Sequence, residues 1–298
     1  MNQPAEKSIQ EYPFQGETGY FAGVEAETYY LEMKQCSQSW LKYFSPNPTA
    51  GNTPANFYHD YLSPDADRKM TDALRFGQAF HLAILEPEEF NKRVEWWDKH
   101  KTTTSKGFQE AAAAMPERML LCPLVWKEKL VDMLDAYLAN PETRALLEME
   151  ADNELTLVWT DEETGVECKG RLDRAAIKAA LLIDFKTTKD ASEQGFRKSI
   201  QDFGYHTQAA FYMSGYEEVF GEKPSAFAFP LVEKEAPYLT NLVQLSDAAI
   251  DAGDYIFRRN IRRYADCIDK GHFPGYGPGT KTIDLDPWYS KRLENDLV

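Results

Sequence analysis

The 298-residue sequence predicts an α/β domain with a helical N-terminal extension. Three observations predict this class. Apolar residues at helical spacing dominate the first half of the chain, and three short runs of strand-forming residues follow one another within residues 154–188. Two helical segments, two further strand patterns and one long helical pattern then complete the chain.

The N-terminal half is predicted to be helical. A short helix is expected over residues 36–44, before a loop with the sequence SPNPTAGNTPANF. Residues 72–90 predict one helix, because their apolar side chains recur at helical spacing, with Pro87 near its end. Residues 107–150 predict further helices separated by prolines.

The C-terminal half begins with strands. Three strands are expected over residues 154–160, 166–175 and 180–188, joined by a turn at DEETG and a second turn around Lys178. The elements expected after them are helices at 192–203 and 206–220, strands at 225–234 and 238–245, and a closing helix from about 247 to 270.

This order of elements divides the chain into two parts. Residues 1–35 form an N-terminal segment, and residues 36–298 form a single domain. Within the domain, 36–150 is a helical front with an insert, and 151–298 is the core. For the helical stretch 96–150, the sequence indicates only a packing role.

The composition indicates a cytoplasmic protein. Hydrophobic residues make up 43% and charged residues 27% of the chain, which is ordinary for a folded soluble protein. The N-terminus lacks the apolar core of a secretory signal, and no window has the uncharged apolar run that a membrane span needs. The four cysteines lie far apart without a CxxC pair, which argues against a zinc ribbon and fits reduced thiols.

The charge limits the ways in which the protein could bind nucleic acid. A net charge of −15 disfavours loose coating of DNA, but it leaves room for a local basic groove. Residues 165–198 carry eight Lys and Arg against five Asp and Glu. Near the C-terminus, FRRNIRRY places four arginines in two i,i+4 pairs, which form a basic stripe if the segment is helical. A solvated helix face is the alternative interpretation of that stripe.

An acid and a lysine stand inside the apolar run ALLIDFKTT. Alternation along a strand places Asp184 and Lys186 on one face, and antiparallel pairing around Lys178 brings Asp173 close to Asp184. Two neighbouring carboxylates call for a cation, and Mg²⁺ binds through one or two carboxylates while keeping water and phosphate ligands. Lys186 would then hold or activate an attacking water. A partly buried Asp184–Lys186 ion pair is the alternative interpretation.

Separated motifs occur around this pair in a recognisable order. They are G-x-x-x-H at Gly77 and His81, a glutamate at Glu154, the acid Asp173, D-F-K at 184–186, and Q-x-x-x-Y at Gln208 and Tyr212. Over roughly residues 36–290, the chain resembles the RecB-like branch of the PD-(D/E)xK nuclease superfamily. Within that branch it is most similar to the C-terminal nuclease domain of RecE-type phage exonucleases, exodeoxyribonuclease VIII. It departs from the superfamily pattern where Leu172, in place of proline, precedes Asp173.

The resemblance implies a restriction-endonuclease-like core, a mixed central sheet flanked by helices, and a set of metal ligands. His81, Asp173, Asp184 and the backbone carbonyl of Phe185 would hold Mg²⁺, for which Mn²⁺ can substitute. Glu154 would hold a second metal, directly or through water; its alternative is an exposed acid at a strand edge.

The remaining implied roles concern water and DNA. Lys186 would orient the attacking water, Gln208 would position that water or a neighbouring phosphate, and Tyr212 would serve packing. The residues expected to contact DNA are Arg171, Arg174, Lys189, Arg258 and Arg262.

The resemblance also implies a function and partners. It implies a Mg²⁺-dependent exonuclease acting 5′→3′ and processively on double-stranded DNA ends, as a ring-shaped homo-oligomer. The single-stranded tails would serve a RecT-like annealing protein in phage-type recombination. The alternatives are a structure-selective or restriction-like endonuclease of the same superfamily, the nuclease module of a helicase complex, and a non-catalytic relative that binds DNA ends. The sequence lacks a G-x-x-x-x-G-K-[ST] loop, so no motor is expected within this chain.

Overall fold

The computed structural model describes residues 13–46, 51–64, 66, 70–99, 102–116 and 118–296, and its central element is a mixed β-sheet. Within these residues, eight strands join the central sheet and two form a small parallel pair. The strands are β1 (Gly19–Phe21), β2 (Cys36–Ser37), β3 (Val94–Trp97), β4 (Leu120–Pro123), β5 (Asp152–Thr160), β6 (Glu167–Ala176), β7 (Leu181–Ile183), β8 (Lys186–Thr188), β9 (Ala226–Glu233) and β10 (Thr240–Gln244).

Eleven α-helices occur in the same residues. They are α1 (Gln38–Leu41), α2 (Pro54–Phe57), α3 (Asp72–Leu85), α4 (Pro87–Arg93), α5 (Lys106–Ala113), α6 (Trp126–Ala139), α7 (Pro141–Glu148), α8 (Glu193–Phe203), α9 (Tyr205–Phe220), α10 (Asp247–Lys270) and α11 (Pro287–Asp296). Short π-helical and 3₁₀ turns lie at Thr28–Glu32, Lys42–Phe44, Tyr58–Leu62 and Ile177–Ala179. Across the described part of the chain, none of the helices has the length and apolar character needed to cross a bilayer.

The central sheet combines antiparallel and parallel neighbours. Its main order is β1-β5-β6-β7-β9-β10, with β2 beside β6 and β8 beside β9. β5, β6 and β7 form the predicted antiparallel meander, whereas β7 and β8 run parallel to β9. The parallel pairing requires a crossover, which α8 and α9 supply.

Helices cover both faces of the sheet. On one face, Phe211 of α9 and Phe257 of α10 pack with Trp159 of β5 in one buried cluster. On the other face, Phe80 of α3 and Tyr137 of α6 pack in a second cluster with β7 and β9. Alternate residues of β9 enter different clusters, as the side-chain alternation of a strand requires. The predicted α/β class, with a mixed central sheet flanked by helices, is confirmed.

The helices α9 and α10 approach each other closely at Gly253. A Cβ atom at this position would lie 2.1 Å from the backbone oxygen of His206, so only glycine allows the approach. The contact fixes the first turn of α9, which carries residues of the site described below.

Two predictions for the front of the domain are wrong in detail. Residues 72–90 form two helices, because α3 ends at Leu85 and Pro87 begins α4. Proline fits the first turn of a helix, where its missing N–H has no intrahelical partner. The stretch 107–150 is not entirely helical, since β4 pairs in parallel with β3.

Part of the N-terminal segment is attached to the central sheet. β1 pairs with β5, and the backbone N–H of Gly16 donates to Glu167 of β6 over 3.0 Å. On the same strand the Lys169 side chain is buried, with 3% of its surface exposed. Its ammonium donates to the carbonyl oxygens of Tyr29 and Met33 and lies 4.5 Å from the centre of the Tyr29 ring. Burial, with the nearby charge of Lys34, lowers the pKa of Lys169 to about 7.

Lys169 is therefore expected to make the stability of the protein depend on pH. Between pH 7 and about 10.5, the unfolded chain keeps a proton that the folded protein releases, so the free energy of unfolding rises with pH. The full gain in the free energy of unfolding is reached above pH 10.5, where Lys169 is neutral in both states. There is no gain below pH 7, where Lys169 is protonated in both states. The wild type should gain up to about 5 kcal/mol over this range relative to Lys169→Met, which cannot titrate. Denaturant unfolding of both proteins at several pH values measures this difference, and a constant difference would contradict the prediction.

Candidate active site

The strand expected over residues 180–188 is broken at Asp184 and Phe185, and this break forms the centre of the candidate site. β7 ends at Ile183 and β8 begins at Lys186. The backbone N–H of Phe185 donates to the Asp173 carboxylate over 2.8 Å, so it cannot continue the ladder between strands. The Asp173 side chain of β6 therefore stabilises the break between β7 and β8.

The two acids lie across neighbouring strands, as the sequence predicts. In the β6–β7 ladder, Arg174 stands opposite Ile183, so the next pair along is Asp173 and Asp184. Burial, with a further contribution from the charge of Asp184, raises the pKa of Asp173 to about 7 against the opposing effects of His81 and Lys186. The charged form of Asp173 is therefore unfavourable in this environment, and a further cation would stabilise it.

His81 reaches this carboxylate from α3. Its Nε2 lies 2.9 Å from the carbonyl oxygen of Phe185; because a carbonyl only accepts, Nε2 donates. Its Nδ1 faces the Asp173 carboxylate oxygen at 3.4 Å. In the neutral imidazole with Nε2–H, Nδ1 carries a lone pair, so the two facing atoms call for a proton or a cation between them.

Glu154 lies opposite Asp173 on the other neighbouring strand. The pairs Asn153–Arg174 and Leu155–Leu172 flank this position in the β5–β6 ladder. The φ angle of Glu154 is +52°, in the left-handed region that non-glycine residues seldom adopt. Backbone strain of this kind concentrates at functional positions.

His81, Glu154 and Asp173 together fit a divalent cation. One ligand atom from each residue lies within 4.8 Å of the others, and all three side chains are partly buried. Divalent metals bind a histidine nitrogen together with carboxylate oxygens. The raised pKa of Asp173 also fits a metal site, because a bound cation would stabilise its charged form. The Phe185 carbonyl, expected from the sequence as a further ligand, accepts the His81 hydrogen bond in this structure.

Asp184 and Lys186 form the predicted pair on one face. The Asp184 carboxylate is almost fully buried, with one oxygen in an ion pair with the Lys186 ammonium. Its other oxygen accepts from Gln208 Nε2 of α9 over 2.9 Å. Burial alone would lower the pKa of Lys186, but Asp184 and Asp173 raise it above its ordinary value. Lys186 is therefore an ammonium at neutral pH.

Aromatic residues of α9 complete the surroundings. The Tyr205 ring lies 4.8 Å from the Lys186 ammonium. Tyr212 packs against β6, where a Cβ on Gly170 would come within 3.1 Å of its ring. The sequence prediction overlooked Tyr205, although its position three residues before Gln208 places both side chains on one helix face.

The expected DNA contacts have different environments. Arg171 donates to Glu154 and, over 2.8 Å, to the carbonyl oxygen of Val24. Lys189 is exposed. Arg258 pairs with the buried Asp161 and Arg262 pairs with Glu163, so both arginines fix the turn after β5 to α10.

Arg174 requires a correction. Its side chain is buried, and its guanidinium donates to the carbonyl oxygens of Leu146, Leu147 and Met149 and to Asn153. These contacts bind the end of α7 to β6. A guanidinium engaged in this way is not available to DNA, contrary to the DNA contact expected for Arg174 from the sequence.

The sheet, its break and the acids across it define the PD-(D/E)xK class of nuclease fold. The chain belongs to the family described as PDDEXK-like domain of unknown function (DUF3799), which matches residues 37–284. The predicted membership of this superfamily is confirmed.

Solved structures share this fold. A protein from Eubacterium rectale described as a candidate exonuclease aligns with a TM-score of 0.61 and 14% identity, over 88% of this chain and 96% of that one. A phage related exonuclease from Haemophilus somnus 129PT aligns with a TM-score of 0.34 and 14% identity, over 78% and 94% of the two chains. At 14% identity, the first similarity supports a shared fold and nothing more. The second, with a TM-score below 0.5, is too weak to support a conclusion. A comparison with curated proteins finds no match.

Proposed function

We propose that this protein is a metal-dependent exonuclease that degrades double-stranded DNA from its ends. The observation that carries the proposal is the meeting of Asp173, Asp184 and Lys186 with His81 and Glu154 at the break in the central sheet of a PDDEXK-like domain. A partly buried ammonium beside two acids suits hydrolysis of a phosphodiester, whose reaction develops negative charge.

The side chains divide the work of the proposed reaction. His81, Glu154 and Asp173 would hold a divalent ion, with Asp184 nearby, and Mg²⁺ or Mn²⁺ would supply Lewis acidity and lower the pKa of bound water. Lys186 would orient the attacking water and stabilise charge on the phosphate. Gln208 fixes the Asp184 carboxylate by its hydrogen bond, and so fixes the ammonium paired with it.

We further propose that the enzyme acts 5′→3′ and processively, as a ring-shaped homo-oligomer around the duplex. The net charge of −15 supports this arrangement, because an acidic exterior discourages binding along the side of DNA. A duplex enclosed by a ring dissociates slowly, so one strand would be digested far before release. The single-stranded tail would then pass to a RecT-like annealing protein in recombination.

Two alternatives make different predictions. A structure-selective or restriction-like endonuclease of the same superfamily would cut DNA without an end. A non-catalytic relative would bind DNA ends without hydrolysis. The complete set of ionisable residues at the site favours an enzyme.

One set of digestions tests the proposal. A single plasmid is prepared in linear, nicked and covalently closed forms and incubated with Mg²⁺, Mn²⁺ or EDTA, with 5′- or 3′-labelled linear ends reporting polarity. We expect loss of linear DNA with either metal, intact closed circles and no reaction in EDTA, while native mass spectrometry detects an oligomer. Equal rates on closed and linear DNA would favour the endonuclease, and full activity in EDTA would exclude the metal site.

A further inference from the structure

An exposed aromatic ring stands beside the candidate active site. Phe203 is the last residue of α8, and 68% of its surface is exposed. Gly204 follows with a φ angle of +71°, which ends α8 and allows α9 to begin at Tyr205. This tight joint brings the two aromatic rings within 5.7 Å of each other, centre to centre, at an interplanar angle of 36°.

Tyr205 connects this ring to the catalytic lysine. Its ring lies 4.8 Å from the Lys186 ammonium. The rings of Phe196 and Phe229 also pack against the Tyr205 ring, with centroid distances of 5.7 and 5.9 Å. Tyr205 therefore contacts both the exposed Phe203 ring and the Lys186 ammonium, and two further rings pack against it.

The surroundings of Phe203 do not resemble a protein-binding patch. The preceding residues, Gln201 and Asp202, are exposed and polar, and Lys198 pairs with Asp202 on the same helix. Protein partners generally bury larger continuous apolar surfaces. A single exposed ring, supported by a second ring beside a phosphodiester-cleaving centre, is instead suited to stacking on one planar group.

We propose that Phe203, supported by Tyr205, stacks on a nucleobase of the DNA strand that is cut. The contacts from Phe203 to Tyr205 and from Tyr205 to Lys186 together cover a distance of about three stacked nucleotides, at roughly 3.4 Å each. We therefore expect the stacked base within about three nucleotides of the cleaved bond. Every base has a π face, so the contact fixes position without reading sequence. This inference depends on the proposed nuclease function and adds a substrate-positioning residue to it.

The test combines a protein change with a DNA change. Phe203→Ala is compared with wild type on linear duplexes that carry one abasic nucleotide at each of the three positions nearest the end, in either strand. We expect Phe203→Ala to raise KM on intact DNA about tenfold. At one position, the abasic nucleotide should raise the wild-type KM by a similar factor and have no further effect on Phe203→Ala, because both changes remove the same contact.

Three further variants separate stacking from other roles. Phe203→Trp should retain the wild-type KM, whereas Phe203→Leu, which keeps apolar surface without a ring, should behave like Phe203→Ala. Tyr255→Ala removes an equally exposed ring on α10 and should leave KM unchanged. If Phe203→Ala has the wild-type KM, the inference is wrong. It is also wrong if, at every position, the abasic nucleotide raises the KM of Phe203→Ala by the same factor as that of the wild type.

A second measurement does not require cleavage. 2-Aminopurine at the identified position should lose fluorescence when the wild-type protein binds in EDTA, and should keep it with Phe203→Ala, since stacking quenches the base. Equal quenching by both proteins would overturn the stacking role while leaving the nuclease function intact. Failure of the wild type to bind or cleave DNA at all would overturn both.

Discussion

Lys186→Ala is expected to reduce DNA cleavage by about 10²- to 10³-fold, the range typical of removing one group that stabilises developing charge. The ammonium lies against the Asp184 carboxylate and the Tyr205 ring, and its raised pKa keeps it charged at neutral pH. It serves the water and the phosphate in the proposed reaction, so DNA binding should change little. Single-turnover rates with Mg²⁺ and fluorescence anisotropy with Ca²⁺ measure the two quantities separately.

The same substitution should also affect stability, which the experiment must separate from catalysis. Removing Lys186 leaves Asp184 buried without its partner, a change that typically costs about 3–5 kcal/mol. Added Mg²⁺ should restore part of this loss, because a cation near Asp184 replaces the missing charge. Assays are therefore compared at temperatures where the variant is folded. Lys178→Ala, which breaks the exposed pair with Glu150, should alter neither cleavage nor stability measurably.

A folded Lys186→Ala protein with a near-normal rate would contradict the catalytic role. The Asp184–Lys186 pair would then be the structural ion pair that the D-x-K spacing also allows.

The part of the site that could be predicted depends on local geometry. Asp173 and Asp184 lie on strands joined by a short turn, so alternation and turn position nearly determine their register. The closing helix lies where expected, at Asp247–Lys270, because both of its ends are encoded locally. Ser246 accepts the N–H of Ala249 at its start, and Gly271 adopts a left-handed conformation at its end.

The part that could not be predicted depends on distant partners. The strand containing Asp184 is broken because the N–H of Phe185 bonds to a side chain twelve residues away. β4 consists of four apolar residues, a run that fits a buried helix as well as a strand, and its pairing with β3 decides between them. For Arg174, the sequence gives the charge, but only the fold supplies the carbonyl groups that its guanidinium contacts.

Asp173→Asn is expected to abolish cleavage while making the metal-free protein more stable. The carboxylate is partly buried. Loss of solvation, with the nearby charge of Asp184, raises its pKa to about 7, so its charged form is unfavourable. Asparagine has nearly the same shape, and its side-chain oxygen can still accept the N–H of Phe185. Cleavage should fall by two orders of magnitude or more, the size typical of removing one charge-stabilising group, about 10²–10³. Stability in EDTA at pH 8 should rise by ~1–4 kcal/mol.

The response to metal separates this prediction from an ordinary loss of function. At a Mg²⁺ concentration 100 times its dissociation constant, the wild type should gain about 2.7 kcal/mol of stability, whereas Asp173→Asn should gain almost none because one ligand is lost. Denaturant unfolding with Mg²⁺ and with EDTA gives all four values. Asp251→Asn, at an exposed position on α10, serves as a control and should match the wild type throughout. An Asp173→Asn protein less stable than wild type in EDTA, or equally stabilised by Mg²⁺, would show that Asp173 is a structural acid and that the ion binds elsewhere.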